Sequence, residues 1–299
     1  MDRSRREGAG WPMIDTTVLT QLLNGIILGL IYGLMAIGLT MIWSITDLPD
    51  FSQGGIYIIS AYVAYWSIVL LNIPYFFAIP TGAVMGILLS VFFERIVYKP
   101  LRASGLSCLL AAIALFFLLE NVAIALWTPK AKIMSVPETE VSLNLFGIVT
   151  TYHRIIILII SVLLFILVHL FIKYTKMGMA IRAVSEDKEI AGLMGINTDK
   201  IYVVTWALGG ALTSVAAILI SPLYAVWPGM GDLPLLKALV VVILGGFGSI
   251  IGALIGGLIL GVIETFGAVY VSAAYQHGFA FIILLLTLSL RPRGLFGKR

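Results

Sequence analysis

Charged residues are scarce in this sequence, and the shortage decides its class. They make up only 11% of the 299 residues, whereas hydrophobic residues make up 60% and the mean hydropathy is +1.06. A soluble domain usually has about 25% charged residues. The composition therefore excludes a soluble globular protein and predicts an all-α polytopic membrane protein. Spans of roughly 20 residues allow about eight crossings, within a range of about seven to ten.

Residues that bind metals or perform catalysis are scarce as well. Cys108 is the only cysteine, and by itself it makes neither a disulfide framework nor a metal site. The sequence also lacks the GxxxxGK[ST] phosphate loop, the HExxH motif and the GxSxG motif. We therefore expect no catalytic residue, no metal site and no cofactor bound by this chain, so that any ATP and Mg²⁺ would belong to a partner. The net charge of +4 is better explained by basic cytoplasmic loops than by nucleic-acid binding.

The two ends of the chain are polar. Residues 1–17 form an N-terminal tail that lacks the apolar core and cleavage site of a secretory signal, and Met13 could equally be the start. Residues 18–290 are predicted to form a single transmembrane domain. Residues 291–299 form a basic tail, which is expected on the cytoplasmic side.

The longest strongly charged segment, residues 173–200, separates two apolar runs. Ser185 is predicted to cap a short helix there, acidic residues follow in its first turn, and Gly195 can end it in the left-handed conformation. A simple connection needs no helix with both ends marked, so we interpret this segment as a docking surface for a soluble partner. The alternative is a solvated interfacial helix that only connects two spans. The residues assigned to the docking surface are Arg182, Ser185, Glu186, Asp187, Lys188, Glu189, Gly195 and Asn197.

Glycines repeat every four residues in two of the apolar runs. They are Gly25, Gly29 and Gly33 in the first run, and Gly248, Gly252 and Gly256 in a later one. This spacing places glycine on one face of a helix, where it lets a neighbouring helix approach closely. We therefore predict helix packing at both sets.

Polar residues inside the apolar pattern are candidates for a substrate path. The break at 47–55 either lines a cavity or is an ordinary external turn, because polar backbone at membrane depth must be satisfied by protein or water. Carboxylates such as Glu120 and Glu264 are costly in lipid and indicate function. The residues placed on the path are Asn24, Tyr32, Asp50, Ser52, Gln53, Glu120, Gly245, Gly246, Ser249 and Glu264.

The basic segments 95–102, 173–200 and 291–299 can all lie in the cytoplasm if residues 235–290 cross three times, with a break at 245–249. The N-terminus is then outside if residues 18–45 and 56–71 each cross once. This conflicts with Arg3, Arg5 and Arg6. Either the chain starts at Met13 or the break at 47–55 is a partial crossing, and the sequence leaves both open.

Five segments together resemble one family over nearly the whole chain. They are NGIILGLIYGLMAIGLTMIW (24–43), ERIVYKPLR (94–102), TKMGMAIRAVSEDKEIAGLMGIN (175–197), LLKALVVVILGGFGSIIGALIGGLILGVIE (235–264) and RPRGLFG (291–297). The sequence resembles the permease subunits of ABC importers for branched-chain amino acids, and it is closer to the LivH type than to the LivM type.

The resemblance implies a permease fold that imports a small solute, expected to be a branched-chain or related amino acid, by alternating access. It implies a second, LivM-like permease subunit, two ATPase subunits of the LivG and LivF type, and an external solute-binding protein. These would assemble in a bacterial or archaeal cytoplasmic membrane. The resemblance also implies that residues 185–197 form a coupling helix, which ATP-driven closure of the ATPase moves as a rigid lever.

One departure bears on the substrate. Where the family commonly has Asn-Phe-Ala-His-Gly after the first span, residues 50–54 read Asp-Phe-Ser-Gln-Gly. If this break lines the path, the substrate could instead be urea, a short amide or another amino acid. From the residues alone, a self-sufficient channel or ion-coupled carrier that uses Glu120 and Glu264 is the alternative function.

Overall fold

A computed structural model describes residues 13–145, 148–291 and 294–296. The described part is mostly helical and contains one antiparallel hairpin, β1 (Ser142–Leu145) with β2 (Ile148–Thr151). The helices are α1 (Met13–Thr46), α2 (Ser52–Leu71), α3 (Tyr75–Phe93), α4 (Lys99–Leu101), α5 (Gly105–Trp127), α6 (Pro137–Glu140), α7 (Tyr152–Tyr174), α8 (Lys176–Glu186), α9 (Lys188–Leu193), α10 (Thr198–Ile220), α11 (Asp232–Gly245), α12 (Ile250–Tyr270) and α13 (Gln276–Leu290). The N-terminal arginines lie outside the described residues.

Nine segments of this described part are long and apolar enough to cross a membrane. They are α1, α2, α3 continued through a π-helical turn into α4, α5, α7, α10, α11 and α13 each with a preceding 3₁₀ turn, and α12. The prediction of an all-α polytopic protein is confirmed. As the topology required, the chain from 228 to 290 contributes three of the spans.

The spans form a buried centre with a lipid-facing rim. In the most apolar part of α1, 89% of the residues are buried, and in that of α10 the share is 72%. In α13 with its preceding 3₁₀ turn, only 11% of these residues are buried. A peripheral span such as α3 leaves Phe76, Phe77 and Leu88 exposed. Exposed apolar side chains of this kind suit contact with acyl chains, so α1 and α10 lie inside the bundle and α13 lies at its edge.

The connection between α1 and α2 lies at the same end of the bundle as the charged segment. The hydroxyl of Tyr202, at the start of α10, donates to the carbonyl of Ile45 at 3.0 Å. Both α1 and α2 are long and apolar enough to cross a membrane. These observations favour two full crossings over a partial one, and the distribution of basic residues predicts that the break lies at the cytoplasmic end.

Contacts between distant segments define the opposite, external end. Lys132 and Val226 exchange two backbone hydrogen bonds of 2.8 Å, and Arg154 donates to the side-chain oxygen of Asn24 at 2.6 Å. The loop between α5 and α7 is thereby held against the loop that follows α10. Of these residues, Asn24 and Arg154 line one of the cavities described below.

Glycine permits the most extensive helix contact, between α1 and α12. A Cβ atom at Gly29 would collide with the backbone of Gly257 and Leu258, and one at Gly25 would collide with Val262. A Cβ at Gly33 would instead meet the ring of Phe165 on α7. The first glycine set therefore lies at helix contacts.

The second glycine set is divided between two roles. Gly252 and Gly256 pack against the backbone of α11, at Gly245 and Val241. Gly248 was wrongly predicted to be a packing position, because it precedes α12 in a loop and its nearest neighbour leaves room for a Cβ. Its φ of +77° explains the glycine instead, since this conformation is strained for other residues.

Candidate functional site

A buried charged cluster lies where α1, α11 and α12 meet. The side-chain nitrogen of Lys237 is 2.6 Å from Oε1 of Glu264, and it donates a hydrogen bond of 2.9 Å to the hydroxyl of Tyr32. Lys237 is 5% exposed and Glu264 is fully buried. Charges within membrane spans are costly and usually serve a function.

The helices bring these three side chains together from distant parts of the sequence. Tyr32 lies midway along α1, and Lys237 lies near the middle of α11. Glu264 is on α12, whose glycine face permits close approach to α1. The cluster is therefore well away from both ends of the spans.

A cavity of about 270 Å³ is lined by Lys237 and Tyr32. Apolar side chains such as Leu28, Ile31 and Met230 form part of its wall, and Tyr57, Tyr224 and Trp227 add aromatic surface. An apolar pocket with a few converging polar groups is the usual form of a small-molecule site.

A second cavity, of about 200 Å³, extends toward the external end. It is lined by Asn24 and Arg154 and shares Leu28, Tyr224 and Gln276 with the first cavity. The shared walls make the two spaces neighbours. Together they extend from Asn24 and Arg154, at the external end, to Lys237, and their walls include Asn24 and Tyr32 of the residues predicted to lie on a path.

His277 connects the peripheral helix α13 to the charged cluster. Its Nδ1 is 3.5 Å from Oε1 of Glu264, and its side chain is 48% exposed. His277 also lines the larger cavity. Glu264 is thus one side chain removed from the space that His277 and Lys237 border.

Asp50 organises the cytoplasmic connection between α1 and α2. Its Oδ1 accepts hydrogen bonds from the backbone and the hydroxyl of Ser52, at 3.0 and 2.6 Å. The same oxygen accepts one of 2.5 Å from the hydroxyl of Tyr98, while Oδ2 accepts one of 3.1 Å from Gln53. All four residues are buried.

The structure places Asp50, Ser52 and Gln53, which were predicted to lie on the path, away from the cavity at Lys237. They do not line the cavity at Lys237; Asp50 borders only a void of about 20 Å³ at the cytoplasmic end. The carboxylate satisfies the first turn of α2 and ties it to the π-helical turn after α3, which is a structural role. The three residues therefore belong to the cytoplasmic closure of the bundle.

Arg102 joins further helices at this end. It forms ion pairs with the buried Glu94 and with Asp199, the latter at 2.6 Å. Its guanidinium carbon lies 3.8 Å from the ring centre of Tyr202, and Lys99 also pairs with Asp199, at 2.8 Å. The segment after α3 is thereby clamped to the start of α10.

The charged segment folds into two short helices, and their boundary differs from the predicted one. Asp187 caps α9, because its Oδ1 accepts hydrogen bonds of 2.9 Å from the backbone of Glu189 and of Ile190. Ser185 was wrongly predicted to be this cap, since it lies within α8 and its hydroxyl donates to the carbonyl of Arg182. Both are good capping residues, and the continuation of α8 through Glu186 decides between them.

The far boundary of the segment has the predicted conformation. Gly195 has a φ of +83°, and the amide of Ile196 donates to the carbonyl of Ala191 at 3.1 Å, closing the end of α9. The side chain of Asn197 accepts from the backbone of Lys200 at 3.1 Å and so caps α10. A six-residue helix is therefore held between two defined turns.

Apolar side chains project from this otherwise charged segment. Ile190 is 59% exposed, Leu193 87% and Met194 78%. A cavity of about 300 Å³ beside α9 is bordered by Ser44 and Ile45 of α1. A fixed helix that offers both charges and apolar side chains has the composition of a docking surface.

The remaining predicted path residues lie apart from the cavity at Lys237. Glu120 is partly buried on the peripheral helix α5. Gly245, Gly246 and Ser249 form the cytoplasmic turn between α11 and α12, where Gly245 accepts a backbone hydrogen bond from Phe296. Sequence reasoning missed Lys237; the signal available was a single lysine within the apolar run 235–244.

A cavity with a charged floor, within a bundle of apolar spans, has the form of a binding site for a small polar solute. The fold and this site are typical of a membrane transport permease. Residues 21–288 match the family described as branched-chain amino acid transport system / permease component. The chain belongs to this family.

Characterised relatives cover nearly the whole chain. It is 36% identical over 298 residues to the high-affinity branched-chain amino acid transport system permease protein BraD of Pseudomonas aeruginosa, covering 94% of this chain and 96% of BraD. It is 34% identical over 297 residues to LivH of Escherichia coli, with the same coverage. A probable LivH of Methanocaldococcus jannaschii is 30% identical over 285 residues, covering 88% of each chain.

Proposed function

We propose that this chain is a LivH-type subunit that imports branched-chain amino acids into the cytoplasm through the cytoplasmic membrane. The match to the permease family over residues 21–288 is the observation that carries the proposal. The relatives named above are permeases for branched-chain amino acids, and the wall of the cavity at Lys237 suits a small solute with an apolar side chain.

The proposed partners are a second, LivM-like permease subunit, two ATPase subunits and an external solute-binding protein. The exposed Ile190, Leu193 and Met194 on α9 support docking of a soluble partner at the cytoplasmic end. In the proposed mechanism, ATP-driven closure of the ATPase displaces α9. The cavity bordered by Ile45 on one side and by residues 184–189 on the other places α1 next to this movement.

The departure at residues 50–54 has little weight against this substrate. Asp50, Ser52 and Gln53 bind one another and Tyr98 at the cytoplasmic end. They therefore do not contact a solute held at Lys237. The alternative of a self-sufficient ion-coupled carrier loses its support, because Glu120 is on a peripheral helix whereas Glu264 is paired with Lys237.

The proposal is tested by co-purifying the chain with the products of its neighbouring genes and measuring ATP hydrolysis and leucine uptake in liposomes. We expect the leucine-loaded binding protein to stimulate both activities. If the complex hydrolyses ATP but neither takes up leucine, isoleucine or valine nor responds to them, the proposed substrate class is refuted. If no ATPase co-purifies, the proposed assembly with ATPase subunits is refuted.

The docking role of α9 is tested with the double variant Glu186→Lys, Glu189→Lys. Reversing two charges on the exposed surface should weaken an electrostatically matched contact with the ATPase. We expect leucine uptake to fall at least about tenfold, while the variant remains in the membrane at the normal level. Unchanged uptake with unchanged ATPase binding would remove these residues from the coupling surface.

A further inference from the structure

We propose that Lys237 and Glu264 form a substrate-binding pair that receives the two charged groups of a zwitterionic amino acid. Without substrate, Glu264 neutralises Lys237. When an amino acid enters, its carboxylate forms an ion pair with Lys237 and its ammonium group forms an ion pair with Glu264. This inference rests on the proposed function and names the chemistry by which the cavity recognises its substrate.

The position of the pair supports this role. Lys237, Tyr32 and His277 all line the cavity of about 270 Å³. The nitrogen of Lys237 lies 2.6 Å from Glu264, and Nδ1 of His277 lies 3.5 Å from the same carboxylate oxygen. A solute in the cavity therefore contacts Lys237 directly, and Glu264 lies behind the Lys237 and His277 side chains that border the cavity.

The charge balance of the exchange selects a zwitterion. Opening a buried ion pair leaves two unpaired charges in a medium of low dielectric constant, which is strongly unfavourable. A zwitterion supplies one counter-charge to each, so one ion pair becomes two. A simple anion would satisfy Lys237 alone, a simple cation would satisfy Glu264 alone, and an uncharged solute would satisfy neither.

The second contact of Lys237 can persist through the exchange. Tyr32 accepts a hydrogen bond of 2.9 Å from the lysine nitrogen. This bond can persist while the carboxylate partner changes from Glu264 to the substrate, because an ammonium group has three donors. Leu28, Ile31 and Met230 then face the part of the cavity available to an apolar side chain.

The principal test is the double variant Lys237→Met, Glu264→Gln in the full complex with its ATPase and binding protein. Removing both charges together avoids leaving one of them unpaired, which favours folding. We expect leucine uptake to fall at least tenfold while the subunits co-purify in the normal ratio. Lys132→Met is the matched control, since this lysine lies over the ring of Trp66, outside the cavity, and its uptake should stay within twofold of wild type.

Normal leucine uptake by the double variant would overturn the inference and leave the proposed function standing. Failure of the wild-type complex to transport any branched-chain amino acid would instead refute the proposed function. If the double variant does not assemble, Tyr32→Phe provides the second test, because it removes only one hydroxyl next to Lys237. The inference expects a three- to tenfold rise in the apparent KM for leucine in this variant, and an unchanged KM would contradict it.

Two leucine analogues test the charge rule in the wild-type complex and in Glu264→Gln. 4-Methylpentanoate lacks the ammonium group, and 3-methylbutylamine lacks the carboxylate. With a saturating amount of leucine-loaded binding protein, neither analogue should inhibit uptake by the wild type. In Glu264→Gln, which leaves Lys237 without its counter-charge, 4-methylpentanoate should inhibit the remaining uptake, at a concentration at least tenfold below the highest one that leaves the wild type unaffected. Equal inhibition of both proteins would refute the exchange, provided that the analogue does not displace leucine from the binding protein.

Discussion

Replacing Asp187 with alanine should weaken coupling by destabilising α9. Asp187 supplies the acceptor for two backbone amides, those of Glu189 and Ile190, both at 2.9 Å. Loss of an N-cap acceptor costs about 0.5–2 kcal/mol. At about 1 kcal/mol, the ratio of folded to unfolded α9 falls roughly fivefold. This helix has six residues. A helix of this length is not stable in water through intrinsic helix propensity alone, so it depends on its cap.

The assay compares leucine uptake per ATP hydrolysed in three variants. Asp187→Ala should lower this ratio about two- to fivefold, while Asp187→Asn should stay near the wild-type value because asparagine caps equally well. Ser185→Ala is the matched control, since the Ser185 hydroxyl bonds to Arg182 within α8 and does not cap α9. Hydrogen exchange at the amides of residues 189 and 190 should accelerate only in Asp187→Ala.

Two results would refute this reasoning. If Ser185→Ala lowers the uptake ratio as much as Asp187→Ala, the boundary between α8 and α9 is misplaced. If Asp187→Asn is as damaging as the alanine variant, the carboxylate acts through its charge on the ATPase, and the capping explanation fails.

Two further substitutions test the packing and the cytoplasmic closure. Gly29→Leu should destabilise the protein by about 1–3 kcal/mol, because the leucine side chain would collide with the backbone of α12. Thermal unfolding in detergent measures this loss. The control Gly192→Ala should change stability little, because the added Cβ meets no atom within 4 Å. Asp50→Ala should lower stability by about 1–3 kcal/mol through the orphaned donors around it, including Tyr98; an unchanged melting temperature would show that this network is dispensable.

Composition was sufficient to predict the class and the approximate number of spans, because lipid imposes length and apolarity on each helix separately. The turn at Gly195 was also predictable, since left-handed backbone strongly favours glycine. The N-cap of α9 was not predictable, because Ser185 and Asp187 are both good capping residues and only the extent of α8 distinguishes them.

The charged cluster could not be assembled from the sequence. Lys237 is more than 200 positions from Tyr32, and a single lysine in an apolar run can equally lie at an interface. Likewise, Asp50 in a polar break suggested a path, whereas its bonds to Ser52 and Tyr98 make it part of a closure. In both cases the missing information was which helices meet, and at what depth.

α1 connects the two functional ends of the molecule. It carries Tyr32 beside the ion pair and Ile45 beside the charged segment, separated by thirteen residues of continuous helix, or about 20 Å. Its glycine contact with α12 makes Glu264 and Tyr32 parts of one closely packed unit, whereas Lys237 belongs to α11. On the proposed coupling role, a displacement of α9 that shifts α1 and α12 relative to α11 would lengthen the Lys237–Glu264 contact. The movement driven by the ATPase would then also expose both charges to an amino acid. A weakened α1–α12 contact in Gly29→Leu should therefore lower leucine uptake per ATP hydrolysed, even in the protein that remains folded.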